Sequence, residues 1–252
     1  MKKAVNTVNI LSVPFPIRSK EETLSLIDLL LCERKNARIF TPNPEILYRA
    51  RSSAELRRHL LDADLLLPDG IGIVLASRLT KTPLPCRITG IDTAEHILTA
   101  ASDRGLSVYF LGGKAGVAQR ASEELTKRYS GLRTAGCHHG YFSSENELTE
   151  TVEAIKASAP DILFVCLGSP AQEKFIAKYT PSIPSLRLSM GLGGCLDVWA
   201  GNLKRAPRVM QKSGTEWLYR IIREPKRLKR LPYLAGFCTE AIRENLFSQK
   251  RE

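Results

Sequence analysis

From Leu106 onward the chain alternates short apolar runs with amphipathic helical segments, and this alternation constrains its fold most strongly. Parallel strands buried on both faces appear as apolar runs, and a helix usually makes the crossover between two of them. The pattern therefore predicts an α/β protein with a Rossmann-like, mostly parallel sheet and helices on both faces. The predicted strands cover residues 107–111, 133–137, 161–167 and 186–192, with helices over 115–129, 145–157 and 171–179.

The first hundred residues contain the same kinds of element at less regular spacing. A capping box from Ser19 to Glu22, in which two side chains satisfy free amides, predicts the start of a helix. Residues 8–17 are predicted to form a strand that turns at Pro14 and Pro16, and residues 38–41 and 65–67 two more strands. Helices are predicted over residues 45–51, 54–62, 71–79 and 92–102.

Positive charge is concentrated at the C-terminal end. The 252 residues carry a net charge of +11, and residues 202–252 hold 13 Lys/Arg and 5 Asp/Glu, so +8 of the total lies there. We therefore predict an α/β catalytic domain over residues 1–201 and a small basic helical C-terminal appendage over residues 202–252. Basic segments favour nucleic acid, anionic lipid or phosphorylated ligands.

The rest of the composition indicates a cytoplasmic protein whose contact with a membrane is peripheral. The six cysteines form no CxxC pair, and we expect them to be reduced and mostly in the core. The N-terminal residues are followed by no long apolar region, which argues against a secretory signal. No apolar run reaches about 18 residues, the length that a spanning helix needs.

Asp69 is the strongest single candidate for a catalytic residue. It lies between Pro68 and Gly70, straight after a predicted buried strand. Open α/β sheets bind ligands at the carboxyl ends of their strands, where a carboxylate could take a proton from a sugar hydroxyl. The alternative is a turn residue that caps the helix beginning near Ile71.

Thr41, Asn43 and Arg87 are further candidates for the same edge of the sheet. Thr41 and Asn43 flank a proline and could contact sugar hydroxyls or an acetamido group, or could serve only the turn. Arg87 suits a diphosphate because its planar fork meets phosphate oxygens in pairs. A surface salt bridge is the alternative for this arginine.

Gly112 and Gly113 follow a predicted strand and precede a helix, which is the context of a phosphate-binding turn. Their exposed amides and missing side chains could accommodate a phosphate group. The spacing to Gly116 is neither a dinucleotide fingerprint nor a P-loop, and a tight turn without ligand is an equal alternative.

The last two predicted strands also end in candidate loops. Ser169 is expected to cap a helix, and Gln172 to project from the first turn of that helix toward the same edge. The glycines of Gly191–Gly194 would let a ligand approach the backbone closely. Asp197 could hold ribose hydroxyls, or could only complement a helix N-terminus.

Two metal-like patterns are set aside, and we predict no metal site. Asp62 and Asp64 have the spacing of a metal–nucleotide motif, but Asp64 precedes a strand and so lies at the wrong end of the sheet. His138 and His139 have no second ligand cluster to support them, which favours a simple loop pair.

The appendage combines apolar and basic residues at helical spacing. Residues 213–216 have the pattern of a capping box, and Pro225 must interrupt the helix that follows. Such a surface suits an anionic membrane, and the alternative is a solvated charged face on a packed helix. Aromatic residues for RNA stacking are missing, so we expect no nucleic-acid partner. The residues concerned are Trp217, Leu218, Ile221 and Ile222, with Arg220, Arg223, Arg227 and Arg230.

Together these segments resemble the WecG/TagA/CpsF family of bacterial glycosyltransferases. The match runs over about residues 8–230, and it is specific because many short motifs occur in one order. The motifs are TPN at 41–43, PDGIG at 68–72, RITG at 87–90, FLGG at 110–113, LGSPAQE at 167–173, GLGG at 191–194 and DVWAGNLKRAP at 197–207.

The resemblance implies an inverting, metal-independent hexosyltransferase with no cofactor. The implied donor is UDP-N-acetylmannosamine, and the implied acceptor is a polyprenyl-diphosphate-linked N-acetylglucosamine at the inner face of the cell membrane. In the branch that makes wall teichoic acid, this product is the linkage unit. An anionic membrane surface is then a further partner.

The resemblance also implies roles for individual residues. Asp69 would be the general base, and Arg87 would act near the reacting phosphates. In the family the C-terminal appendage closes over the site and supplies arginines. By their spacing these correspond to Arg220, Arg227 and Arg230, and the residues that would hold the donor sugar are Thr41, Asn43 and Gln172.

Several alternatives stay open at this stage. Pro44, Tyr48 and Arg49 make one segment bulkier and more basic than the family pattern, so the donor could instead be UDP-N-acetylmannosaminuronate. A nucleotide-dependent oxidoreductase would need the glycine fingerprint that is absent. A non-enzymatic nucleotide- or lipid-binding protein would leave Asp69 and Gln172 without a role. The sequence does not fix the oligomeric state, and a homo-oligomer is compatible with it.

Overall fold

The computed structural model describes the backbone of residues 6–249 and the side chains of residues 6–246. In that part of the chain, two strands pair as an antiparallel hairpin and six form one parallel sheet. The strands are β1 (Thr7–Ile10), β2 (Val13–Pro16), β3 (Ala37–Phe40), β4 (Leu65–Leu66), β5 (Ser107–Gly112), β6 (Arg133–His138), β7 (Ile162–Cys166) and β8 (Leu188–Gly191). The sheet has the order β4-β3-β8-β7-β5-β6, which confirms the predicted α/β architecture.

Helices connect the strands, and several of them begin at a side chain that caps the first turn. The hydroxyl of Ser19 accepts a hydrogen bond from the amide of Glu22, as the capping box predicts. Each such cap stabilises a helix by about 1 kcal/mol. The helices are α1 (Lys20–Cys32), α2 (Pro44–Ala50), α3 (Ala54–Leu61), α4 (Ile71–Ser77), α5 (Gly90–Arg104), α6 (Val117–Arg128), α7 (Glu145–Ser158), α8 (Ala171–Tyr179), α9 (Cys195–Trp199), α10 (Arg208–Lys212), α11 (Glu216–Arg223) and α12 (Leu231–Gln249).

The sheet separates two hydrophobic cores because successive residues of a strand point to opposite faces. In β5, Val108 and Phe110 join the core that also contains residues of α1, α5, α6 and α9. Tyr109 and Leu111 join the other core, with residues of α2, α3, α7 and α8. Both faces are therefore covered, and full burial of one such side chain stabilises the fold by about 1.5–3 kcal/mol.

The N-terminal strand prediction is correct in extent and wrong in the place of its turn. The chain reverses at Leu11 and Ser12, which both have positive φ, and not at the prolines. Pro14 and Pro16 lie within β2, paired with Asn9 and Thr7. Proline is tolerated there because an isolated two-stranded hairpin consists only of edge strands.

The C-terminal segment runs through α10, α11 and a 3₁₀ turn at Pro225–Arg230 before α12. The predicted interruption at Pro225 is therefore confirmed. Helix α12 packs against α2 and α4, and its Phe237 is almost fully buried in the second core. The division into a catalytic domain and an appendage remains a prediction, and residues 1–5 and 250–252 of those ranges lie outside the described part of the chain.

Among the described residues, no helix combines the length and apolar composition that crossing a bilayer requires.

All six cysteines are free thiols, as expected. Cys166 and Cys195 are buried, whereas Cys32, the last residue of α1, and Cys238, within α12, are exposed, so the expectation of core positions is wrong for those two.

Candidate functional site

The candidate residues come together because all six strands of the large sheet run in one direction. The loops after the carboxyl ends of these strands meet at one edge, and β3 lies between β4 and β8. Strands β5 and β7 are neighbours in the sheet. The chain leaves β5 toward one margin, to β6, and leaves β7 toward the other, to β8. Connections that leave two neighbouring strands in opposite directions open a ligand crevice between them.

Asp69 lies in the loop between β4 and α4. One of its carboxylate oxygens accepts a hydrogen bond of 3.1 Å from the amide of Gly90, the first residue of α5. Helix α4 starts after Gly70 without a side-chain cap, so the alternative of a capping aspartate for that helix is wrong. The carboxylate is held instead at the N-terminus of a different helix, where the helix dipole favours negative charge.

The surroundings of Asp69 raise its pKa. Burial among protein atoms disfavours the charged carboxylate and is the largest cause, and the nearby negative charge of Glu216 adds to it. The Gly90 amide and the positive charges of Arg220 and Arg87 act in the opposite direction and do not outweigh burial. A carboxylate whose pKa is raised in this way is a stronger base than an exposed aspartate.

Arg87 forms an ion pair with Glu216, the first residue of α11. The side chains are 13% and 11% exposed, so this is a largely buried pair and not the surface salt bridge of the alternative. The carboxylate of Glu216 also lies 3.8 Å from Arg205. The predicted capping box at residues 213–216 is wrong, because Glu216 faces Arg87 and not the helix amides.

Arg205 extends this cluster to the start of α5. Its guanidinium donates a hydrogen bond of 2.6 Å to Asp92, which also accepts one of 2.6 Å from the hydroxyl of Thr89. Burial alone would raise the pKa of Asp92, but these two hydrogen bonds outweigh it and lower the pKa. The ion pairs of Arg87 with Glu216 and of Asp92 with Arg205 therefore hold residues 87–92 against the C-terminal part of the chain.

Thr41 and Asn43, which follow β3, flank the Asp69 loop. The hydroxyl of Thr41 donates to the carbonyl of Gly191 at 3.2 Å, and its methyl group packs against Gly90. The side-chain oxygen of Asn43 caps α2 by accepting from the amide of Ile46 at 3.0 Å. The turn chemistry considered for Asn43 is thus present, and its amide nitrogen has no hydrogen-bond partner among the described side chains.

Gln172 is only 2% exposed and joins the loops after β7 and β8. Its oxygen accepts a hydrogen bond of 2.9 Å from the amide of Gly193, and its nitrogen donates one of 3.0 Å to Glu173. A side chain at Gly191 would come within 2.9 Å of the same nitrogen, so glycine is required there. Ser169 caps no helix, so that expectation is wrong, and its buried hydroxyl lies near the carboxylate of Glu173.

The glycine turn after β5 contacts the end of β7 directly. Gly112 has a φ of +137°, and a side chain on it would come within 2.4 Å of the carbonyl oxygen of Cys166. Gly113 also has positive φ. Helix α6 begins at Val117, two residues later than predicted, because the turn extends to Gly116. No side chain caps this helix among the described residues, and the amide of Val117 donates to the carbonyl of Lys114 at 3.0 Å.

Asp197 lies in the first turn of α9, close enough to Cys166 that its charge helps to raise the pKa of that buried thiol, after burial itself. One carboxylate oxygen accepts from Asn202 at 3.1 Å, and Asn202 accepts in turn from Arg120 of α6. Asp197 therefore lies on the glycine-turn side of the edge. Both of its predicted roles are compatible with this position.

The three arginines of the C-terminal segment differ in their surroundings. Arg220 lies one helical turn after Glu216, and its charge lowers the pKa of Asp69. Arg230 is 3.4 Å from Glu45 in the first turn of α2, next to Asn43. Arg227 pairs with Glu224 at 2.9 Å within its own 3₁₀ turn. The structure thus brings Arg220 and Arg230 toward the edge and holds Arg227 within the segment.

The patterns that were set aside have different outcomes. Asp64 accepts a hydrogen bond from the backbone amide of Arg38 at the beginning of β3, the amino end of the sheet, as expected. The two histidines at the end of β6 lie close to Glu147 of α7, which sequence reasoning missed. Glu147 follows His139 by a whole loop, so no spacing indicates their proximity.

Fold and site together define an α/β enzyme that uses the carboxyl edge of a parallel sheet, with a carboxylate near two arginines. A model of the glycosyl transferase WecG/TagA/CpsF family matches residues 8–251. The chain therefore belongs to the WecG/TagA/CpsF family of glycosyltransferases. The resemblance drawn from the sequence motifs is confirmed.

Known relatives cover most of the chain. A protein of Bacillus spizizenii is 36% identical over 220 residues, which is 87% of this chain and 84% of that protein. A Bacillus subtilis protein is 35% identical over 224 residues, 87% of this chain and 86% of its own length. A Staphylococcus aureus protein is 34% identical over 232 residues, which is 91% of this chain and 90% of that protein. All three are named N-acetylglucosaminyldiphosphoundecaprenol N-acetyl-beta-D-mannosaminyltransferase.

Proposed function

We propose that this protein transfers N-acetylmannosamine from UDP-N-acetylmannosamine to N-acetylglucosaminyl-diphosphoundecaprenol, with inversion and without a metal ion. The observation that carries the proposal is the half-buried Asp69 carboxylate, with raised pKa, near the positive charges of Arg87 and Arg220. The names of relatives at 34–36% identity support the same donor sugar class and acceptor. They do not favour the uronate donor.

Asp69 is the proposed general base. Its carboxylate takes the proton of an acceptor hydroxyl while the hydroxyl oxygen attacks the anomeric carbon of the donor sugar. The bond from that carbon to the diphosphate breaks, UDP leaves, and the configuration inverts in this single displacement. The hydrogen bond from Gly90 fixes one carboxylate oxygen, and the other remains for the acceptor. Positioned general bases typically contribute about 10²–10⁴-fold in rate.

Arginines supply the positive charge that the departing UDP needs when no metal is bound. Preorganised cations in a partly dry site stabilise developing charge strongly. Arg87 is engaged by the carboxylate of Glu216, an anionic oxygen ligand as a phosphate would be. We propose that the donor diphosphate competes with Glu216 for Arg87, with Arg220 beside it and with Arg227 and Arg230 contributing as the segment closes.

The remaining candidates are assigned to the donor. Thr41, Asn43 and Gln172 would contact the sugar, since they border the Asp69 loop on the β3 and β8 side. The glycine turn, Gly112 and Gly113, lies beyond β7 and precedes the uncapped start of α6, where a phosphate group would be favoured. On the same side, Asp197 would hold the ribose.

A membrane surface is the proposed site of encounter with the acceptor. Large apolar side chains are exposed along the C-terminal segment, among lysines and arginines. Such a surface suits docking at the inner face of an anionic membrane, where each cation contributes about 1 kcal/mol. The exposed apolar residues of this docking surface are Val209, Trp217, Leu218, Ile222, Leu228 and Leu231.

The decisive experiment measures UDP release with a short-chain lipid-diphosphate N-acetylglucosamine acceptor in EDTA. We expect acceptor-dependent release from UDP-N-acetylmannosamine in the wild type, a loss of about 10²–10⁴-fold in Asp69→Asn, and near-normal rates in Asp64→Asn. Asp64 is the matched control because it belongs to the same strand region at the opposite end of the sheet.

Other results would redirect or overturn the proposal. Release only from the uronate donor would change the donor and keep the reaction type. Release that requires a divalent ion would overturn the metal-independent mechanism. Full activity of Asp69→Asn would remove Asp69 as the base, and no release with either donor would leave the family assignment without this reaction.

A further inference from the structure

Two histidines and a glutamate converge at the carboxyl end of β6, on the outer margin of the sheet. One nitrogen of His138, one nitrogen of His139 and one carboxylate oxygen of Glu147 all lie within 4.8 Å of one another. Neighbouring residues within a strand point to opposite faces. Here β6 ends at His138, so His139 lies beyond the strand, and the two ring centroids are only 4.3 Å apart.

Hydrogen bonds around the cluster orient each group. A ring nitrogen of His138, Nδ1, lies 2.9 Å from the carbonyl oxygen of His139, which can only accept. The proton of His138 is therefore on Nδ1, and the lone pair is on Nε2. Histidines that bind metals almost always donate their other N–H to a carbonyl or carboxylate in this way.

Glu147 is oriented in the same manner. One of its oxygens, Oε2, accepts hydrogen bonds of 2.6 Å from both the amide and the hydroxyl of Ser143. These hydrogen bonds lower the pKa of Glu147, and the nearby histidines add to the effect. The other oxygen, Oε1, faces Nε2 of His139 at 3.3 Å. The serine contacts therefore hold one carboxylate oxygen and leave the other beside the two imidazoles.

A simple ion pair between His139 and Glu147 accounts for only part of this arrangement. It needs one histidine, whereas a second imidazole lies against the first and has its proton directed away by a backbone carbonyl. The Nδ1 atom of His139 is also buried without a hydrogen-bond partner. Two imidazoles and one carboxylate are a ligand set that zinc takes in proteins.

We propose that His138, His139 and Glu147 bind a Zn²⁺ ion. With three protein ligands, one tetrahedral position is left for water. The site is separate from Asp69, which follows the strand at the opposite margin of the sheet. This inference does not rest on the proposed sugar transfer, and it departs from the prediction from sequence, which gave these histidines no further ligand and no metal.

The ion would fix the loop after β6 against the glycine turn. The amide of Gly140 donates a hydrogen bond of 2.9 Å to the carbonyl of Gly113. A side chain at Gly140 would come within 3.0 Å of the Cα atom of Gly112, so the two segments are in direct contact. A metal that joins His139 to the first turn of α7 would therefore hold the wall of the glycine turn in place.

The test is a titration of the full-length, metal-free protein with Co²⁺, followed by visible absorption, and then displacement by Zn²⁺. We expect one equivalent to bind with the ligand-field bands of a four- or five-coordinate site. His139→Gln and Glu147→Gln should each weaken binding by about tenfold or more. Zn²⁺ should raise the midpoint of thermal unfolding in the wild type and not in these variants.

A matched control is available in His96, which pairs with Asp28 at 3.2 Å but has no second histidine beside it. His96→Gln should bind Co²⁺ like the wild type. Thermal unfolding without metal identifies any variant that has not folded, and His138→Gln then replaces it. Unchanged binding in the cluster variants, binding below one equivalent, or the intense near-ultraviolet bands of thiolate ligation from Cys32 or Cys238 would overturn the proposal.

Discussion

Glu216 and Arg87 form a largely buried ion pair that joins the first residue of α11 to the loop before α5. The two residues are 129 positions apart in the chain. This contact therefore links the position of the basic C-terminal segment to one of the arginines proposed to bind the leaving group. If Arg87 exchanges Glu216 for the donor diphosphate, the C-terminal segment loses this contact and its position must change.

Replacing Glu216 by glutamine tests this link. Breaking one partner of a buried ion pair leaves the other charge uncompensated, so we expect Glu216→Gln to lower the free energy of unfolding by about 3 kcal/mol. Because the freed Arg87 can bind phosphate, UDP should raise the unfolding midpoint more in the variant than in the wild type. Thermal unfolding with and without UDP measures both effects.

Glu224→Gln is the control for this substitution. Glu224 pairs with Arg227 in the same segment, but its side chain is 36% exposed, so a loss of no more than about 1 kcal/mol is expected. Equal unfolding midpoints for wild type and Glu216→Gln would show that the ion pair with Arg87 does not stabilise the position of the C-terminal segment.

The pKa of Asp69 predicts an unusual pH dependence of stability. Because the folded protein raises this pKa, it holds the proton more tightly than the unfolded chain does. The stability from Asp69 is therefore present below the ordinary pKa of 3.8 and is lost as the pH rises through the higher folded value. At neutral pH, Asp69→Asn should lose activity and yet unfold at the same or a higher temperature.

Asp161 makes stability depend on pH in the opposite direction to Asp69. Despite its burial, hydrogen bonds from Ser107 and Arg187 lower its pKa, so its stability is present above 3.8 and is lost as the pH falls through the lower folded value. Asp161→Asn should therefore destabilise the protein at neutral pH. Urea unfolding at several pH values compares the two variants, and a destabilised Asp69→Asn at neutral pH would contradict the argument.

Gln172 should affect stability as well as activity. Gln172→Ala leaves the Gly193 amide and one oxygen of Glu173 without their partners, and each buried unsatisfied group costs about 1–3 kcal/mol. We expect a lower free energy of unfolding in urea and a raised KM for the donor. Gln119→Ala, at an exposed glutamine that donates to Glu123 and accepts a long contact from the thiol of Cys137, should leave both unchanged. A normal KM in Gln172→Ala would argue against contact with the donor sugar.

The docking surface predicts a difference between two acceptors. Ile222→Glu should reduce binding to anionic vesicles by about tenfold or more, since burying an isoleucine in an apolar phase is worth about 1.5–3 kcal/mol. Activity should fall with the undecaprenyl acceptor in vesicles and persist with the short-chain acceptor. Ile242→Glu, which changes another exposed isoleucine, on α12, should leave vesicle binding nearly unchanged, and equal loss in both variants would contradict the assignment of this surface.

Much of the fold and part of the site could be predicted from sequence. Apolar runs of strand length separated by helical periodicity are local signals, and they gave the parallel sheet with both faces covered. Parallel strands bring their carboxyl-end loops to one edge, so the proximity of Thr41, Asp69 and the Gly191–Gly194 segment also followed. The turn at Leu11 and Ser12 did not, because neither residue type indicates positive φ.

The partners of individual charged groups could not be predicted in the same way. Glu216 occurs in a sequence pattern that is equally consistent with a helix cap, and Glu147 lies a loop away in sequence from the two histidines that are close to it. Local patterns report backbone preferences, whereas a charge pairs with whatever the packed chain brings within a few ångströms.

The sequence by itself therefore determined the order of the elements, the edge at which the site lies and the family to which the chain belongs. Only the tertiary structure decided that Asp69 accepts from Gly90 and not from its own helix, and that Arg87 is paired across the chain. The physical reason is that periodicity and turn chemistry act over a few residues, while burial, which sets the pKa of Asp69, arises only when distant segments pack together.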